Sequence, residues 1–150
     1  MVDILKNIVT SEMFLTVIAG VLVFIISQLI IDFIVNPHKV YRSLKERIAY
    51  TMAMYTCFYH SPYKLAEDSN VRDREEYIEV SKETRKIGSE LAGYLGNVPR
   101  IRFNKRKKLE EVKNALISLS NGLFDYPNYS QFKDNIECEN IIKKNLKIKW

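Results

Sequence analysis

The sequence predicts an all-α protein: one N-terminal transmembrane helix followed by a cytoplasmic bundle of about four helices. Three observations predict it. Met13 to Val35 reads MFLTVIAGVLVFIISQLIIDFIV, an apolar run with one charged residue. Beyond it apolar residues recur at steps of three and four, and no stretch alternates apolar and polar as a half-buried strand would. Turn signals at Ser61-Pro62, Gly96-Asn97-Val98-Pro99 and Asn121-Gly122 divide that region into helix-length pieces. The expected organisation is a lead-in over residues 1–12, a transmembrane helix over 13–35 and a cytoplasmic helical domain over 36–150.

The span is argued from length. At ~1.5 Å per residue, ~23 residues reach ~34 Å against a hydrocarbon core of ~30 Å. A signal peptide has a shorter apolar stretch and small residues at a cleavage point, whereas Asn36-Pro37 leads straight into a charged amphipathic segment. The anchor is therefore expected to stay attached. A core helix of this length would show a polar face. Basic residues are few before the run, with Lys6 alone, and dense after it, with Lys39, Arg42, Lys45 and Arg47. Positive charge stays inside, which puts the N-terminus outside a bacterial inner membrane and the rest of the chain in the cytoplasm. Cys57 and Cys138 suit that reducing compartment and are read as packing residues.

Within the run, Thr16, Gly20 and Ser27 fall within ~40° of one another at ~100° per residue, and Gln28 and Asp32 begin a neighbouring stripe. Small residues let transmembrane backbones approach, and hydroxyls or amides bond across helices, so these five positions read as a helix-helix seam or pore lining. With a single span, the partner is another copy or another protein, and homo-oligomerisation is expected. Asp32 faces a protein interior or water path, or else lies in the headgroup layer at the cytoplasmic end.

The remaining elements follow in order. Val2, Leu5, Ile8 and Val9 form an amphipathic lead-in, and Thr10 or Ser11 caps the span. Asn36-Pro37 is a break and restart, from which a helix carrying Tyr41, Leu44, Ile48, Met52, Tyr55 and Tyr59 runs to about His60. After a loop over 63–72, a second helix carries Tyr77, Val80, Thr84, Ile87, Leu91 and Tyr94 to about Leu95, with Ser81, Gly88 and Ala92 as a small-residue ridge. A third begins near Asn104 with Leu109, Val112, Leu116, Leu119 and Leu123. The last, about Gln131 to Leu146, uses Phe132, Ile136, Ile141 and Leu146.

The chain has 150 residues, net charge +5 and 47% hydrophobic residues, an ordered composition whose basic excess favours anionic membrane surfaces or nucleic acid. No metal-ligand spacing, nucleophile elbow or phosphate loop surrounds His38, His60 or the glycines, so no cofactor, no metal and no small-molecule substrate are expected. The charged cluster above background is Arg100, Arg102, Lys105, Arg106, Lys107 and Lys108. Basic residues at a helix start oppose its dipole, so an anionic partner is expected there: RNA, inner-leaflet headgroups or the acidic stretch of a neighbouring copy.

VIAGVLVFIISQLIIDFIVNP, LKERIAYTMAMYTCFYHSP, SKETRKIGSELAGYLGNVP and KKLEEVKNALISLSNGLF together resemble small bacterial single-span proteins with a HEPN-like helical cytoplasmic domain, a group that includes the membrane accessory protein of type VI-B CRISPR systems. The resemblance runs from about Phe14 to Phe124. It implies a HEPN-like bundle, a ring-shaped membrane pore, and enhancement of phage defence beside an RNA-guided RNase. HEPN ribonucleases carry an arginine followed a short fixed step later by a histidine, for base and charge stabilisation. Here Arg47 is too far before His60, and no arginine precedes His38. The expectation is thus a non-enzymatic oligomeric membrane effector that permeabilises or depolarises, with membrane lipid, further copies and an RNA-guided CRISPR effector or RNA as partners. The alternatives are a membrane-tethered HEPN-like RNA-binding protein or ribonuclease, and a non-conducting scaffold. Ser118, Ser120 and Asn121 are expected to cap or cross-link helices.

Overall fold

The structure, a computed structural model, describes residues 12–64, 71–98, 103–125 and 131–149. The lead-in residues Val2, Leu5, Ile8 and Val9, the candidate caps Thr10 and Ser11, and Arg100 and Arg102 lie outside the described residues. Helices dominate: α1 (Glu12–Ile30), a π-turn (Ile31–Val35), α2 (Asn36–Met54), the short α3 (Thr56–His60), α4 (Val71–Asn97), α5 (Phe103–Asn121) and α6 (Phe132–Leu146). Two compact units, Met1–Val40 and Tyr41–Trp150, divide the chain within α2.

In the first unit α1 is long and apolar enough to cross a membrane, and none of its residues is buried. The expected break at Asn36-Pro37 does not occur, since the backbone is helical from Glu12 to Met54. Pro37 has no N–H and its ring crowds the carbonyl four residues back, that of Phe33. Widening the turn ahead of it accommodates both problems: the Asn36 N–H reaches back five residues to Ile31 O, and Asn36 keeps right-handed helical angles of −62° and −48° instead of capping.

The second unit holds the core. α5 packs along both α4 and α6, and its stripe of Leu109, Val112, Leu116 and Leu119, continued by Leu123, is buried. Each fully buried leucine contributes ~1.5–3 kcal/mol relative to exposure, so α5 is the helix around which the bundle closes. α2 adds Leu44, Ile48 and Met52, and α4 adds Val80, Ile87, Leu91, Tyr94 and Leu95. The expected small-residue ridge is present at two of its three positions. A Cβ on Gly88 would lie 3.4 Å from Leu116 Cβ, and the Ser81 hydroxyl donates to Ser120 O at 2.7 Å, whereas Ala92 is exposed.

Three differences from the sequence expectation have local causes. The helix expected to reach His60 breaks at Tyr55 (φ −108°, ψ 14°), where the Thr56 hydroxyl donates to Met52 O at 2.6 Å and competes with the helical ladder. A two-residue parallel bridge, β1 (Tyr63–Lys64) with β2 (Phe124–Asp125), pairs Tyr63 with Phe124. It is too short to show any alternation. On α6 the buried residues are Asn135, Glu139, Ile142 and Leu146, while the expected Phe132 is exposed and Ile136 and Ile141 are half-buried. Polar partners inside the bundle set that face: Asn135 donates to Tyr59 O at 2.9 Å and to Gly122 O at 2.8 Å.

Candidate functional site

The seam residues of α1 make their hydrogen bonds along their own helix. Thr16 donates to Glu12 O at 2.8 Å and Ser27 to Val23 O at 2.7 Å, the four-residue back-bond open to hydroxyls on a helix. Gly20 has nothing within 4 Å of where a Cβ would stand. The stripe thus offers a neighbour a close-approach surface and oxygen lone pairs, its hydroxyl protons being already engaged. Asp32 is held differently. Gln28 donates to one carboxylate oxygen and Asn36 to the other, each at 3.2 Å, so two amides one turn either side clamp the charge without a cation. Asn36 escaped the sequence reading because a residue before proline suggests a cap, whereas its side chain here serves the turn behind it.

The basic segment divides along α5. Arg106 pairs with Glu110 one turn on, Nε to Oε1 at 3.3 Å, and Lys107 is exposed. Lys105 and Lys108 instead line a groove of about 560 Å³ with Tyr41 and Lys45 of α2 and Asn145 and Lys147 at the end of α6. The Lys105 ammonium stands 4.0 Å from the centre of the Tyr41 ring, whose other neighbour is Tyr94 at 6.1 Å between ring centres. Burial raises the phenols of Tyr41 and Tyr94 above their ordinary range, so both remain hydroxyl donors. Lys147 reaches the groove because it ends α6 in a left-handed conformation (φ 53°), its N–H bonded to Lys143 O. Sequence reasoning singled out Lys105 and Lys108 but missed Lys45, Asn145 and Lys147. Lys45 follows Tyr41 by one turn, a visible spacing, but only the packing of three helices brings the four lysines together.

Comparison of the chain with family models, with curated proteins and with solved structures finds no match.

Two further polar sites lie in the bundle. Glu139 is buried, with His60 Nε2 at 3.2 Å from one oxygen and Lys143 Nζ at 3.5 Å from the other, and the Phe132 ring stands edge-on to the imidazole. Among the described residues Glu139 Oε1 has no hydrogen-bond partner. A polar cavity of about 700 Å³ is lined by Ser81, Ser118, Ser120, Asn121 and Cys138 among others. The Cys138 thiol is pushed up chiefly by burial, with Asp134 and Glu137 adding and a hydrogen bond with Ser118 opposing, so its sulfur stays protonated and weakly nucleophilic. Cys57, expected to pack, is exposed, because the break at Tyr55 turns it outward. Arg85 donates to the Asn121 side chain, which links α4 to α5 as expected, whereas Ser120 joins the two only through its backbone carbonyl, its hydroxyl donating to Ile117 O on its own helix. Among the described residues no group of three or more His, Cys, Asp or Glu side chains is placed to hold a metal ion.

Proposed function

We propose that the chain is a single-span membrane protein, N-terminus outside and HEPN-like bundle in the cytoplasm, whose spans self-associate and permeabilise or depolarise a bacterial inner membrane during antiphage defence. The observation that carries the reading is the face of α1. Val17, Val21, Leu22, Val23, Phe24, Ile25, Ile26, Leu29 and Ile30 all stand exposed among the described residues. Apolar surface on that scale is tolerable against lipid and not against water.

The dense basic flank after the run supports the orientation. Self-association is supported by the open Gly20 surface beside the lone pairs of Thr16 and Ser27. The defence setting rests on the sequence resemblance to accessory proteins of type VI-B CRISPR systems. In an assembled ring, copies of Asp32 would present an acidic collar to cations, with Gln28 one turn deeper.

The test is direct. The full chain in liposomes is expected to release a trapped dye and collapse a potassium potential, and in mild detergent to run as a discrete oligomer that Gly20→Leu disrupts. Oligomers that leave the bilayer tight replace the pore with a scaffold. A chain that alkaline carbonate strips from membranes overturns the anchor itself.

A further inference from the structure

We infer that the lysine-walled groove between α2, α5 and the end of α6 binds the phosphate of an anionic phospholipid headgroup; the source of that lipid, the bilayer holding α1, rests on the membrane reading above. Lys45, Lys105, Lys108 and Lys147 line it together with Tyr41. No described carboxylate pairs with any of the four ammoniums, and Glu111 reaches the lining only as the acceptor of the Asn145 amide at 2.8 Å. Like charges gathered in one groove repel, and Lys105 and Lys108 also sit in the first turns of α5, where the helix dipole disfavours cations. An anion relieves both costs. A volume of about 560 Å³ is of headgroup size.

Lipid is favoured over nucleic acid by two features. Single-stranded nucleic acid needs open aromatic faces on which bases stack, and the Tyr41 ring is taken on one side by Lys105 and met by Tyr94. Tyr41 also follows Val35, the end of the apolar run, by only six positions. Whatever path the backbone takes, six residues reach no more than ~20 Å, which bounds the distance from the end of the apolar run to Tyr41.

The experiment titrates the full chain in neutral detergent with dihexanoyl phosphatidylglycerol, dihexanoyl phosphatidylcholine, inorganic phosphate and a short single-stranded RNA. Phosphatidylglycerol is expected to bind and phosphatidylcholine not. Joint Lys45→Gln, Lys105→Gln and Lys108→Gln should weaken binding about fivefold per lysine removed. The three-arginine counterpart, which keeps the charge, should bind as wild type. Joint Lys82→Gln, Lys86→Gln and Lys133→Gln, at exposed positions elsewhere, should change nothing. Undiminished lipid binding by the groove variant overturns the inference. So does groove-dependent binding in which RNA or free phosphate equals or exceeds the lipid. Carbonate extraction is scored separately: a chain stripped from membranes that still binds phosphatidylglycerol through the groove refutes the anchor and keeps the lipid site.

Discussion

At the scale of single residues, Asn135 ties together three parts of the bundle. Its amide nitrogen holds the carbonyls of Tyr59 and Gly122, and Gly122 permits this only by lacking a Cβ, which would stand 2.2 Å from Asn135 Oδ1. Gly122→Ala should therefore force the amide away and cost about 1–3 kcal/mol, read as a lower melting temperature of the full chain in detergent. Tyr59 makes a second prediction. The single Thr84 proton is donated to Val80 O at 2.8 Å, so the buried Tyr59 hydroxyl, 2.7 Å away, must be the donor to Thr84.

Burial is the main cause that raises the Tyr59 phenol well above its ordinary value of 10.0. The unfolded chain then releases that proton first. Stability should be independent of this group below about pH 10 and fall above it, by up to ~1.4 kcal/mol per pH unit. Urea titrations at pH 9 and pH 11 should show the loss, and Tyr59→Phe, less stable at pH 9, should show a shallower fall. None of this was legible beforehand: asparagine and threonine on a helix read as solvated or capping residues until a neighbour is known to lie above them.

At the scale of elements, the legible part was whatever depends on periodicity. The α5 stripe from Leu109 to Leu123 was read correctly because steps of three and four report a buried face directly. The α6 face was misread because its buried side carries Asn135 and Glu139, and hydropathy assigns such residues to water. The contrast is measurable: Leu116→Ala should cost about 2–5 kcal/mol, whereas Phe132→Ala, at an exposed position, should cost less than ~1 kcal/mol despite removing the larger side chain. Pro37 was read as a break because the sequence shows the missing N–H but not the wider turn that absorbs it. Pro37→Ala restores the donor, so the π-turn at Ile31–Val35 should close to α geometry, with slower hydrogen exchange at the amides of residues 36 to 41.

At the scale of the whole molecule, the apolar helix was the clearest sequence feature, since length and composition suffice to mark it. The lysine groove was only half legible: its α5 members stood out as a charge run, while its other walls come from residues far along the chain. On the proposed membrane activity, Asp32→Asn should reduce the preference of the leak for cations without abolishing leakage, measured as a shift in reversal potential across a salt gradient. An unchanged reversal potential moves Asp32 out of the conducting path.

The clamp on that carboxylate has a consequence for how the molecule is made. With Thr16 and Ser27 bonded to their own backbone and Asp32 held by Gln28 and Asn36, a lone helix presents few unmet polar groups to lipid. On the proposed membrane reading, newly synthesised copies would then enter the bilayer one at a time and persist there singly. Delivery would be separated from assembly, and a cell could stockpile a harmless span until a signal or a rise in copy number brings its neighbours together.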